Sequence, residues 1–182
     1  TFNLAGLFVN VDNGYDAFAI DNSLTMLSDK PGKDAQQSAG ASLRADFEGE
    51  LTLTSITAIA DSDIEFSYDA DWGNDDAWDP VLYDYISVSD RHRRTLSQEF
   101  RLLADNWLVG VYALRLEDDI ATLNRGEYFD PGFDFADSLD DLFSSDYAST
   151  NVAAFGQVDH ELGAIARLTA GLRLERRMTD YS

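Results

Sequence analysis

Carboxylates dominate the side chains able to do chemistry. The chain carries 34 acids against 13 Lys and Arg, with two His and no Cys. The densest run is Asp69-Ala70-Asp71-Trp72-Gly73-Asn74-Asp75-Asp76. Clustered carboxylates on a Gly-containing loop can hold Ca²⁺, which makes Asp69, Asp71 and Asp75 candidate ligands. The EF-hand order is not met, because counting from Asp69 puts Gly73 fifth, Asn74 sixth and Pro80 twelfth. A solvated acidic loop is the plainer reading. Trp72, Trp78, Tyr83 and Tyr85 follow closely and can stack on a ligand or on one another. Paired carboxylates also suit acid–base or glycosidase chemistry, but with this many acids pairs arise without design and none is singled out. His92 and His160 are too isolated in sequence for a triad or metal motif. His92 lies in Arg91-His92-Arg93-Arg94, a run suited to meeting phosphates or offsetting acids, or simply a polar approach to a strand.

The balance of charge excludes several classes. The net charge is −21 and the pI near 4.1, so nothing neutralises nucleic-acid phosphates or an anionic membrane surface overall. Hydrophobic residues at 45% are too many for a disordered acidic tail. With no Cys there is no disulfide framework or thiolate metal site, and no cofactor is called for. No apolar run reaches the ~18 residues of a membrane-spanning helix. The opening Thr1-Phe2-Asn3-Leu4 is strand-like and shows no signal peptide, as expected of a mature start or of a cut into a longer protein.

The elements that must position these side chains are strands. Alternation and β-branched content predict seven, at 3–11, 40–48, 51–60, 95–103, 107–116, 150–161 and 165–176. In the last, Leu168, Ala170, Leu172 and Leu174 alternate with Thr169, Arg173 and Glu175. Gly49-Glu50, Ala104-Asp105-Asn106 and Gly163 with its neighbours read as tight hairpin turns. The other connections, 12–39, 61–94 and 117–149, read as long loops. Residues 61–90 and 117–146 alone hold 20 of the 34 acids. Asn13-Gly14 suits a local turn, and Phe135, Leu139, Leu142 and Phe143 are spaced like one helical face.

Short turns on one edge and long acidic loops on the other predict an all-β antiparallel up-and-down meander. Outer-membrane barrels have this plan, with ~10-residue strands alternating apolar-out and polar-in. Leu168, Ala170, Leu172, Leu174, Val152, Ala154, Gly156 and Val158 would then face lipid, with Trp107, Tyr112, Tyr147 and Tyr181 in interfacial girdles. Seven strands are too few to close, since small barrels need about eight. The expectation is therefore a single segment, 1–182, of a larger transmembrane barrel.

Particular motifs sharpen this. Ser97-Gln98-Glu99-Phe100-Arg101-Leu102 resembles the "SQE-R-L" strand of TonB-dependent outer-membrane receptors. Trp107-Leu108-Val109-Gly110-Val111-Tyr112 is similar to their "W-x-x-G-x-Y" strand, and Ala153-Ala154-Phe155-Gly156-Gln157 to "A-x-F-G-Q". Leu168-Thr169-Ala170-Gly171-Leu172-Arg173 resembles "L-T-x-G-x-R", and Ser55-Ile56-Thr57-Ala58 fits "S-x-T-A". The resemblance spans roughly 40–177. It implies a barrel of about 22 strands around a plug and energy-coupled uptake of a scarce nutrient: an iron chelate such as a siderophore, a vitamin or an oligosaccharide. It also implies outer-membrane lipid as surroundings, a TonB complex acting through parts this chain lacks, plug domain included, and transport rather than enzymology. The rival from the residues alone is a soluble antiparallel β-module binding Ca²⁺ or carbohydrate through long acidic loops. A cover over the apolar face of the last two strands would favour that rival. A third reading, a carboxylate-dependent hydrolase, needs two acids converging in a pocket.

Overall fold

The computed structural model of the chain describes residues 1–13, 19, 23–30, 32–163 and 165–182. Seven strands form one antiparallel sheet in chain order: β1 (Phe2–Asp12), β2 (Lys33–Phe47), β3 (Thr52–Asp69), β4 (Leu82–Leu103), β5 (Trp107–Asp130), β6 (Phe135–Glu161) and β7 (Arg167–Tyr181). One short helix, α1 (Asp75–Trp78), interrupts the β3–β4 connection. The meander and its three tight turns are as the alternation predicts. The sheet is not closed, and β1 and β7 each leave one edge unpaired among the described residues. No described helix is long and apolar enough to cross a membrane.

The long-loop expectation fails in an instructive way. Strand boundaries at the tight-turn end agree with the alternation to within about two residues, but at the other end most strands run on. Residues expected as loops 61–94 and 117–149 are mostly strand, leaving connections of 70–81 and 131–134, while 13–32 separates β1 from β2. Some of the acids there meet bases across the ladders, while Glu65 and Asp90, Asp84 and Glu127, and Asp119 and Asp146 stand acid opposite acid. Arg94 stands across from Asp61, Arg93 across from Asp118 and Arg125 across from Asp140. Helix spacing at Phe135, Leu139, Leu142 and Phe143 is likewise overridden. Those residues are extended and paired with β5 throughout. The intervening Ser and Asp compete with a helix backbone, and a continuous strand partner satisfies every peptide group instead. Gly14 of the expected Asn13-Gly14 turn lies outside the described residues.

Register sorts the side chains onto two unlike faces. Phe2, Ala45, Ser55, Phe100, Val111, Ala154 and Leu174 stand in one hydrogen-bonded row. Neighbouring rows on the same face bring Leu4, Leu43, Val152, Phe47, Leu53, Leu102, Val109 and Leu172 together. The result is an apolar band across all seven strands near the tight turns. It is about seven residues deep on β5, or roughly 23 Å along the strand. Leu4 is 80% exposed and Leu172 69%, so no described residue covers the band there. Its polar exceptions satisfy one another: Thr57 Oγ1 donates to Gln98 Oε1 at 2.5 Å, and Gln98 Nε2 to Ser55 Oγ at 3.0 Å.

The opposite face carries the paired charges, with Ile56, Leu114, Leu116 and Phe155 set among them. Arg44 meets Asp46 at 2.9 Å, Arg173 meets Glu175 at 2.8 Å, Arg101 pairs with Glu99, and Asn151 Nδ2 donates to Glu175 at 2.6 Å. Most buried strand residues belong to this face, namely Thr54, Ser87, Asp118, Ser149, Asn151 and Ala153. The buried hydrophobic residues are only Ala45 and Ala153 among those described. Accessible surface totals 12508 Å², against roughly 8,800 Å² for a compact protein of this mass. The sheet has two dressed faces and almost no interior of its own.

Candidate functional site

The predicted site residues collect where β3 turns into β4. Asp69 ends β3 and accepts backbone N–H groups from Asp71 and Trp72 at 3.2 Å each, and from Asp29 at 3.0 Å. Asp71 accepts from Gly73 N at 2.9 Å, Trp78 Nε1 at 3.1 Å and Tyr85 N at 2.7 Å. Both acids are buried, with Asp71 only 2% exposed. Their burial and mutual repulsion raise the Asp69 carboxyl above its ordinary range. They act as fasteners: Asp71 folds the connection onto β4, and Asp69 ties it to the 13–32 segment. Asn74 caps α1, accepting from Ala77 N at 2.9 Å. Asp75 stands exposed in the first turn of α1. Asp69 and Asp71 thus come together and Asp75 stays apart.

The aromatic candidates converge more fully. Trp78 lies edge-on to Tyr83 at 5.3 Å between ring centroids, and Tyr83 reaches Tyr85 at 5.2 Å. The row continues through Tyr128, 6.1 Å from Tyr83, to Phe135 at 6.1 Å. Two glycines make room. A Cβ on Gly73 would sit 2.1 Å from Trp78 Nε1, and one on Gly126 would sit 2.2 Å from the Tyr85 ring. Trp72 is 43% exposed at a left-handed φ of 59°. Tyr128 and Phe135 were not foreseen, because 117–149 reads as a loop. The signal that finds them is parity: Tyr128 falls opposite Tyr83, and Gly126 opposite Tyr85, once β5 is continued. Such a partly exposed row offers ring faces to a planar or sugar-like ligand at the rim of the polar face.

The run Arg91-His92-Arg93-Arg94 divides by alternation. Arg91 and Arg93 point to the polar face and clamp Asp118, with Arg91 Nε at 2.7 Å and Arg93 Nη2 at 2.9 Å. The clamp holds the Asp118 carboxyl down at about 2. His92 and Arg94 point the other way, just beyond the apolar band. Arg94 Nε meets Asp61 Oδ2 at 2.9 Å and His92 Nδ1 lies 2.7 Å from Asp63 Oδ1. Hydrogen bonding to Asp63 raises the imidazole above its ordinary value. The run therefore offsets acids on both faces. Among the described residues, Asp61, Asp63 and His92 bring three ligating atoms within 4.8 Å of one another, whereas Asp69, Asp71 and Asp75 form no such group.

No protein-family model, curated protein or solved structure matches this chain.

Proposed function

We propose that this chain is a stretch of barrel wall from an outer-membrane receptor of the TonB-dependent kind, taking part in uptake of a scarce nutrient such as an iron chelate, vitamin or oligosaccharide. One observation carries the proposal: an apolar band spanning all seven strands that no described residue covers, opposite a face that carries the paired charges. Hydrocarbon accepts apolar side chains and strands whose backbone groups are all paired, and a polar lumen accepts the other face. The five motifs at hairpin positions add the receptor class. Ring faces at Trp78, Tyr83, Tyr85 and Tyr128 lie at the end where a ligand would arrive. The rival soluble module needs a cover over the last two strands, and β7 is exposed along its whole length.

The absence of Cys gives a clean background for single-site spin labels. In the protein reconstituted into lipid bilayers, labels at Leu96, Val111 and Leu172 are expected to be relaxed by oxygen and shielded from a polar nickel reagent. A label at Thr95 is expected to show less oxygen preference. Equal access of the polar reagent to Leu96 and Thr95 would defeat the proposal.

A further inference from the structure

We propose that Asp61, Asp63 and His92 form a binding site for a divalent first-row transition-metal ion on the outward face, at the upper margin of the apolar band. The site is built by ladder register, independently of the barrel reading. Asp63 and His92 are direct cross-strand partners on β3 and β4, and Asp61 is the next residue on the same face. All three therefore project from one rigid, doubly flanked pair of strands, which fixes their spacing before any ion arrives.

The two imidazole nitrogens have different surroundings. Nδ1 lies 2.7 Å from Asp63 Oδ1, the contact by which a carboxylate orients a metal-binding imidazole and fixes its tautomer. Nε2 is 3.6 Å from Asp61 Oδ2, too long for a hydrogen bond. Two atoms bound tetrahedrally to one ion by bonds of ~2.0–2.2 Å are separated by roughly 3.3–3.6 Å. Nε2 and Asp61 Oδ2 thus sit at the bite of a shared ion, with Asp63 behind the ring. One side of the cluster opens on a concavity of about 560 Å³ lined in part by Glu65, Asp90 and Asp119. It gives water access to complete the coordination, and its carboxylates set a field that draws cations in. An imidazole with a carboxylate selects ions such as Zn²⁺ or Co²⁺ over Ca²⁺, which prefers six or more oxygens. Arg94 competes for the same oxygen, since its Nε already meets Asp61 Oδ2 at 2.9 Å.

That competition supplies a distinctive test. Calorimetric titration of the purified protein with Zn²⁺, supported by Co²⁺ absorption, is expected to show a site that excess Ca²⁺ does not displace. His92→Gln should weaken Zn²⁺ binding at least about tenfold, and Asp63→Asn by about 10–100-fold, as for other carboxylates that orient a ligating imidazole. Arg94→Gln should tighten it severalfold by releasing Asp61. A His92→Gln protein with unchanged far-ultraviolet strand signal and unchanged Zn²⁺ affinity would overturn the site. So would displacement of Zn²⁺ by equimolar Ca²⁺.

Discussion

Asp118 illustrates how a carboxylate lives in a sheet with almost no interior. It is 6% exposed, and Arg91 and Arg93 from the adjacent strand supply its hydrogen bonds. Its folded pKa, about 2, lies below the ordinary value of 3.8. The ionised form therefore adds stability above about pH 4, and that share is lost as pH falls toward 2. Asp118→Asn is expected to cost about 1–3 kcal/mol at neutral pH and to flatten the acid limb of the unfolding midpoint between pH 4 and 2. His92 works with the opposite sign. Asp63 raises its pKa, so its contribution is complete below the unfolded value of 6.5 and disappears as pH rises through the folded one. Proton-detected titration should place His92 above 6.5, and Asp63→Asn should lower it. At this scale the sequence announced Trp78, Tyr83 and Tyr85, because aromatics near a turn are conspicuous. It concealed the Asp61, Asp63 and His92 group, because 29 residues separate His92 from Asp63 and only ladder register joins them.

At the scale of elements, the β3–β4 connection and the β4–β5 ladder carry the most specific demands. Asp71 holds three donors from Gly73, Trp78 and Tyr85. Asp71→Ala leaves those donors without their acceptor and should cost about 1–3 kcal/mol, read as faster limited proteolysis within 70–81. Gly126→Val would drive its side chain into the Tyr85 ring and toward the Asp84 carbonyl, 2.5 Å from its Cβ. That overpacking should cost about 1–3 kcal/mol in denaturant unfolding. The tight-turn ends of the strands were legible, because there the apolar face alternates cleanly with polar residues, as in Leu168 to Glu175. The far ends were not. Beyond the band, Asp-rich stretches such as 61–69 and 137–146 look like loops, although 61–69 still alternates Asp61, Asp63 and Glu65 with Ile64, Phe66 and Tyr68. What makes them strands is continuous backbone pairing with neighbouring strands, which no local window contains.

For the whole molecule, the decisive property is the contrast between faces. Leu96 and Thr95 are neighbours at one depth on opposite faces. If the band meets lipid, Val111→Arg in mid-band should destabilise the assembled protein by up to about 2–4 kcal/mol and Leu96→Arg at its margin by about 1 kcal/mol or less, while Thr95→Arg should leave stability unchanged. Heat-induced mobility shifts in detergent gels would compare the three. The strand order was legible as a whole because the three tight turns pin successive strands as neighbours, although 131–134 proves as short as those turns. Closure was not, since it depends on what meets the open edges of β1 and β7.

The splitting of Arg91-His92-Arg93-Arg94 between faces also constrains how such a wall can change by mutation. Losing a single codon from the middle of β4 would swing Arg91 and Arg93 onto the greasy side and strand Asp118 without its clamp. Losing two would leave each side chain facing the way it did before. Length variation among descendants should therefore come in even steps inside β3 to β6, and in any step at all within 13–32.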